Sequence, residues 1–263
     1  MNYANFPLCF FVLCLIFGIF VPMQMKTKAI VLHALKYGEA QLIVDMLTEE
    51  AGRVSFVCHL PKTQRGQGKK QLFQPLTLLE VAFDFRPQNS LQHFRDLRLL
   101  MPFASIPFDA NKLAISLFLA EFLYHATRDE QTNRPLFNYV ENSIAWLDSC
   151  QGSFANFHLV FMLRLSRFVG FFPNLEDYAP RCYFDLREGA FVLSAPLHPD
   201  FLGPEETARI LPLMRMDYTT MHLFRMSHLE RNRCLDVLTQ FYRLHIPNFP
   251  ELRSLAVLRE LYS

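Results

Sequence analysis

The chain lacks the short signatures that mark most enzymes. It has no Gly-rich phosphate loop ending in Lys-Ser/Thr, no GxSxG, no HExxH and no GxGxxG after a strand-like run. These absences exclude the common P-loop, serine-hydrolase, zinc-protease and dinucleotide-binding chemistries. CxxC pairs are missing too. Two of the six cysteines, Cys9 and Cys14, fall in the first 24 residues, and Cys58, Cys150, Cys182 and Cys234 stand far apart. Such spacing reads as reduced thiols of a cytosolic protein. The nine histidines are scattered. His222 and His228 meet Cys182 or Cys234 only if the fold brings them together, so they give no metal signal. Glu49-Glu50, Glu176-Asp177 and Glu205-Glu206 have ordinary roles at turns and helix starts, where negative charge complements the helix dipole. A non-enzymatic protein without cofactor is expected.

Carboxylates are also absent from Ala51 to Leu79, a stretch that carries Arg53, Lys62, Arg65, Lys69 and Lys70. The overall charge of +1 hides this asymmetry. Residues 25–107 hold 11 Lys/Arg against 7 Asp/Glu, whereas residues 108–263 hold 15 against 18. Clustered cations release counterions together when they meet phosphates, so the first part is the expected polyanion face. Gly66 and Gly68 give the segment Pro61–Lys70 the character of a mobile loop that can follow a backbone.

Phe6 to Val21 is a nearly unbroken apolar run. It is shorter than the roughly 20 residues needed to span a bilayer and lacks the basic flank and cleavage pattern of a signal peptide. The regular pattern starts at Met25, so residues 1–24 are expected to be a mis-assigned start or disordered leader. The alternatives are a membrane anchor, which would make this a membrane-anchored interaction protein with a basic arm, and an apolar helix docked on the body.

From Lys28 the pattern is of short strands separated by turn residues: 28–35, 40–48, 54–60, 76–86 and 91–101. In the fourth, Val81, Phe83 and Phe85 alternate with Glu80, Asp84 and Arg86. Five strands in about 75 residues suit an OB-fold barrel, a fold used to track single strands. Tyr37, Phe56, Phe73 and Phe94 lie where they could stack on bases, although strand aromatics more often face a core. After Pro102 and Pro107 the period becomes helical. Asp109 is a candidate N-cap for a helix with Leu113, Leu117, Ala120 and Tyr124 on one stripe and Ile115, Leu119 and Phe122 beside it. Further helices are expected over 136–147, 154–169, 204–214, 227–245 and 250–262, with Ser227 and Glu230 as a capping box and a small hairpin over 183–194. The predicted fold class is α+β: a five-stranded OB-fold β-barrel (25–104), then a mostly α-helical domain with a small β-hairpin (105–263).

Met25-Lys-Thr-Lys-Ala-Ile-Val-Leu32, Tyr37-Gly-Glu39, Thr48-Glu-Glu-Ala-Gly-Arg53 and Gln74-Pro-Leu-Thr-Leu-Leu-Glu80 resemble, in order and spacing, the amino-terminal domain of the RecO family of recombination mediators. Phe241-Tyr-Arg-Leu-His-Ile-Pro247 and Leu252-Arg-Ser-Leu-Ala-Val-Leu258 resemble the family's closing helices. The resemblance implies binding of single- and double-stranded DNA, strand annealing and, with RecR, loading of RecA onto DNA coated by single-strand binding protein. It also implies a cytoplasmic, nucleoid-associated protein without stable membrane association. Many members carry a four-cysteine zinc ribbon after the block that here reads Gly170-Phe-Phe-Pro-Asn-Leu175. This chain offers only Cys182, so the region near 178–195 is expected to be a degenerate, metal-free ribbon. The expected DNA-binding residues are Lys26, Lys28, Arg53, Lys62, Arg65, Lys69, Lys70 and Arg86, with Lys36, Arg95 and Arg98 as further barrel cations. Arg164 and Arg167 are the expected docking residues for a protein partner.

Overall fold

A computed structural model describes residues 23–60 and 64–260, the side chains of 64–67 excepted; the apolar leader and Lys62 lie outside the described residues. Five strands come first: β1 (Met23–Tyr37), β2 (Gln41–Thr48), β3 (Gly52–His59), β4 (Leu78–Phe85) and β5 (Gln92–Met101). They close into a barrel in the order β1-β2-β3-β5-β4, with β4 returning to β1. All pairings are antiparallel except β3 with β5, which meet in parallel at Phe56–Gln92 and Val57–His93. This is the expected OB-fold barrel. The alternation in the sequence sets its interior, where Val31, Val44, Met46, Phe56, Val81 and Phe83 are buried together. β1 begins five residues earlier than its pattern suggests, because Met23 to Thr27 pair with β4 even though they are not uniformly apolar.

The segment after β3 is not a loop throughout. Gln64–Gln71 forms a short helix, α1, despite its two glycines, each of which costs about 1 kcal/mol in a helix interior. Tertiary anchoring overrides that propensity: Phe73, directly after α1, is buried and stacks on Phe94 (6.0 Å between ring centroids), which stacks on Phe56 (4.3 Å).

The remaining helices are α2 (Ala110–Ala126), α3 (Arg134–Ser149), α4 (Phe157–Leu165), α5 (Pro204–Arg215), α6 (His228–His245) and α7 (Ser254–Glu260). Their starts follow the sequence signals. Asp109 accepts from the Asn111 and Lys112 amides, and Ser227 and Glu230 form a reciprocal capping box. The expected apolar stripe of α2 is corrected. Leu113 and Leu117 are exposed, while Ile115, Phe118, Leu119, Phe122 and Leu123 are buried. A helix apolar all round does not announce its inner face.

Beside its own interior, the barrel contributes one side to the helical core. Ile30, Leu32, Leu47 and Leu78 project from the barrel into the same cluster as Phe118, Phe122 and Tyr242. The β2–β3 turn plugs into the 127–133 loop. Arg53 N–H donates to Glu130 O (2.9 Å), the Thr132 hydroxyl donates to Glu50 O (2.9 Å), and Arg134 grips the Glu50 carboxylate. On the other side Asp148 accepts from the Ala104, Ser105 and Ile106 amides, fixing the linker to the end of α3. Burial pushes its carboxyl pKa up, but the backbone donors outweigh that and hold it below the usual range.

The hairpin of β6 (Tyr183–Asp185) and β7 (Ala190–Val192) gains a third strand, β8 (Phe201–Leu202), on β6. Cys182 is buried beside it, and Phe184, Phe191 and Phe241 pack edge-on or tilted against one another. Among the described residues no group of three or more His, Cys, Asp or Glu side chains can hold a metal ion, so the donors present do not fit the zinc of a four-cysteine ribbon.

Candidate nucleic-acid interface

Two of the expected DNA-binding cations belong to the seam between barrel and helices. Arg53 is nearly buried, its guanidinium 4.5 Å above the Tyr124 ring, 3.4 Å from Tyr124 O and 3.6 Å from the Asp45 carboxylate. Burial pushes its pKa down, and Asp45 opposes the shift. Asp45 is itself held low: burial raises it, but hydrogen bonds with His33 and Ser55 and the charge of Arg53 prevail. Lys28 reaches Glu141 on α3 at 2.8 Å, and this hydrogen bond holds its pKa up. These two residues tie the barrel to its neighbour and do not present free charge.

A second group forms an ion-pair lattice on the outer face of β1, β4 and β5. Strand register places Lys28 opposite Glu80, Glu80 opposite Arg98, and Ala82 between Lys26 and Asp96. The pairs are Lys26–Glu80 (2.9 Å), Arg95–Asp84 (2.7 Å) and Arg98–Asp96 (2.8 Å). Exposed pairs of this kind contribute little to stability, but they neutralise the face.

The cations left over lie at both ends of the barrel. Register brings Tyr37, Gln41 and His59 together, so the β1–β2 turn and the segment after β3 share one end, with Lys36 before the turn and Lys69 and Lys70 in α1. Phe85 pairs with Met23 at the start of β1 and β5 runs parallel to β3, so the β4–β5 turn and Arg86 lie at the opposite end. Lys36, Lys70 and Arg86 are exposed and have no ion-pair partner among the described residues. Lys69 is half-buried and hydrogen-bonds the Cys58 thiol, whose pKa burial raises and Lys69 lowers to a lesser degree. Lys62 and the Arg65 side chain fall in the undescribed part of the same segment. OB barrels bind strands with the outer face of β2–β3 and with these two turns.

That face is open at its β1–β2 end, where Gln41 and His59 are exposed, while Ile43, Asp45, Arg53, Ser55 and Val57 are half-buried. A bulge in β1 between Val31 and His33 turns His33, Leu35 and Tyr37 outward, opposite Asp45, Ile43 and Gln41 of β2. Of the four aromatics considered for stacking, Phe56 and Phe73 are core and Phe94 is half-buried over them. Tyr37 alone is open, at 54% exposure. His33 and Leu35 carried no signal in the sequence, because only the bulge determines which way they point.

The helical half differs from expectation in its arginines. Arg164 is half-buried and donates through Nε and Nη2 to Met216 O (3.3 and 2.8 Å), so it is not an exposed docking group. Arg167 is exposed but stacked on Phe172 at 4.2 Å. A cleft of about 750 Å³ lies instead between α5 and α6, lined by the apolar Ile210, Met216, Phe224 and Met226 and by charges of both signs, Arg209, Arg225 and Arg233 with Glu205, Glu206 and Glu230. His158 on α4 is fully buried, and burial pushes its pKa down to about 3, so it is a neutral core residue. Among the described residues no helix is long and apolar enough to cross a membrane.

Comparison with known proteins agrees with this architecture. The family model for the recombination protein O N terminus matches residues 23–103, and that for the recombination protein O C terminus matches residues 107–256. The DNA repair protein RecO of Phocaeicola vulgatus is 52% identical over 241 residues, which cover 92% of this chain and 100% of that protein. RecO of Bacteroides fragilis is also 52% identical over 241 residues, covering 91% of this chain and 100% of its own. RecO of Flavobacterium psychrophilum is 33% identical over 243 residues, with 92% and 100% covered. The matches run through the barrel and the helical half alike, and on that basis the chain belongs to the recombination protein O family of DNA repair proteins.

Proposed function

We propose that this protein is a non-enzymatic mediator of DNA repair and recombination. It binds single- and double-stranded DNA, anneals complementary strands and, with RecR, helps RecA load onto DNA coated by single-strand binding protein, in the cytoplasm at the nucleoid. The observation that carries this reading is the uneven use of barrel cations. The seam and the β1–β4–β5 lattice absorb Lys26, Lys28, Arg53, Arg95 and Arg98, leaving Lys36, Lys69 and Lys70 at one end of an OB barrel and Arg86 at the other. Such a pole attracts phosphates whatever their sequence, which suits annealing and coating rather than recognition of one site.

The reading is tested with the Lys69→Glu/Lys70→Glu double variant in an anisotropy titration of single- and double-stranded oligonucleotides at two salt concentrations. Affinity is expected to fall for both, with a shallower dependence on salt. Unchanged affinity and slope would place the interface elsewhere on the chain.

For partner docking, the cleft between α5 and α6 replaces Arg164 and Arg167. Its lining sets Arg209, Arg225 and Arg233 against Glu205, Glu206 and Glu230, so the apolar interior is what suits a tail both acidic and apolar, the chemistry expected of the end of single-strand binding protein, with Arg209 and Arg225 to meet its acidic residues.

A further inference from the structure

The seam that closes the barrel, between β3 and β5, is short. Its parallel pairing ends at Val57 and His93, whereas β5 runs on to Met101. From Arg95 to Met101 no described residue outside β4 shares a backbone–backbone hydrogen bond with this strand. On the side away from β4 the Leu97 N–H is met by a side chain, the carboxylate of its neighbour Asp96 at 2.9 Å. The side chains here are open as well. Arg95, Asp96 and Arg98 are exposed, and Leu99 and Leu100 are 44% and 41% exposed. Arg98 and Leu99 follow one another and so point to opposite faces of the strand, which are both uncovered at this point.

An unpaired strand edge is a template for another strand, and this one is complementary to itself in one register. The Leu97 N–H points away from β4, so Leu97 presents its backbone groups to the edge while Asp96 and Arg98 turn theirs toward β4. In an antiparallel pair, edge-facing residues must lie opposite edge-facing residues. A two-fold axis at Leu97 then sets Leu97 against Leu97 of a second copy, Asp96 against its Arg98, and Arg98 against its Asp96. Moving the axis by one residue sets Asp96 against Asp96 or Arg98 against Arg98, which repel. The matched register also extends a row already present on the outer face. Lys28 lies opposite Glu80 and Glu80 opposite Arg98, so the row would continue into Asp96 of the second copy with alternating sign. In the single chain Arg98 Nε donates to its own Asp96 at 2.8 Å, so pairing exchanges one guanidinium for another and leaves no charge unmatched.

We infer that the free edge of β5 is a self-association site, where a second copy of this chain joins β5 to β5 antiparallel about a two-fold axis at Leu97. The occupant is a second copy because the charges that select the register, Asp96 and Arg98, lie two residues apart on the same strand, so the edge carries both halves of the match. The register of β5 with β4 shifts on either side of this run, at Arg95 and at Leu100, which confines regular pairing to Asp96–Leu99. The contact is therefore small, and a small isologous contact gives a dimer that forms and separates with concentration. This inference needs nothing from the DNA-binding reading and stands or falls without it.

The test is sedimentation equilibrium on the full chain over a range of concentrations. The unaltered protein is expected to dimerise with a dissociation constant of about 10–100 µM. Asp96→Arg and Arg98→Asp each set like charges across both matched pairs, and each is expected to weaken the dimer about tenfold or more. An equimolar mixture of the two variants brings opposite charges together at both pairs and is expected to restore it. Both positions are exposed, and circular dichroism checks that the fold is kept. A second measurement needs no substitution: amide exchange at Leu97 in the unaltered chain should slow as concentration rises. A chain that stays monomeric at every concentration would leave the edge to a foreign strand and overturn the inference. Variants that dimerise as well as the unaltered chain, a mixture that fails to recover, or Leu97 exchange that ignores concentration would each overturn it too.

Discussion

Gly52→Ala is the substitution with the largest expected effect for one added methyl. Gly52 sits in the β2–β3 turn with φ +63°, where an alanine costs about 1–2 kcal/mol in backbone strain. Space is the larger problem. A Cβ there would lie 2.4 Å from Gln131 C and 2.4 Å from Glu130 O, both backbone atoms, so the turn and the 127–133 loop must part by about 1 Å to restore ordinary contact. Parting them lengthens the Arg53 N–H to Glu130 O bond, now 2.9 Å, and loosens the Arg53 guanidinium from Tyr124 O. A partly buried amide left without an acceptor costs about 1–3 kcal/mol. The sum is about 2–5 kcal/mol, a large fraction of the 5–15 kcal/mol typical of a folded domain. Equilibrium urea unfolding followed by circular dichroism measures it. Gly68→Ala is the control, because Gly68 is helical with nothing within 4 Å of its added Cβ, and it should be neutral or stabilising by up to about 1 kcal/mol. A Gly52→Ala loss below about 1 kcal/mol would show that the seam yields freely and that barrel and helices are not held by this turn.

His158 and the α5–α6 cleft give two further expectations. The folded-state pKa of His158 is pushed down to about 3, below the ordinary 6.5, so its contribution to stability is complete above pH 6.5 and is lost as pH falls toward 3. From pH 7 to pH 5 the loss is about 2 kcal/mol, readable as a shift in urea midpoint, and His158→Phe should remove most of that slope; an unchanged slope would assign the acid sensitivity to other groups. In the cleft, Arg209→Glu and Arg225→Glu should each weaken binding of an acidic, apolar tail peptide of single-strand binding protein by about fivefold in a calorimetric titration. Equal weakening by Arg167→Glu would return the docking surface to the segment after α4.

What the sequence made legible was local. Strand alternation placed the barrel interior, Asp109 and Ser227–Glu230 marked helix starts, and Gly189, at φ +63°, turns the hairpin that the pattern around Arg187-Glu188-Gly189 indicated. What escaped was set by contacts distant in sequence. α1 forms because Phe73 anchors it, β8 is too short to show a period, and α2 is apolar on every side. For the candidate site, the charges were visible but their commitments were not. Arg53 looked like the entry to a basic arm, yet Asp45 and Tyr124, the latter 71 residues away, enclose it.

That difference between carrying charge and presenting it bears on how a nearly neutral chain can act on DNA. The excess of four positive charges in residues 25–107 would give a weak, diffuse field if it were spread over the barrel. Pairing concentrates it. Each carboxylate of the β1–β4–β5 face is matched to a cation on the same face, as Glu80 is to Lys26, Asp84 to Arg95 and Asp96 to Arg98. The excess therefore falls to the end where β1 turns into β2 and α1 follows β3. On the reading proposed above, a strand drawn to that pole meets Lys36 and Lys70 and the outward His33, Leu35 and Tyr37 of β1, so a modest excess acts where the chain can be held.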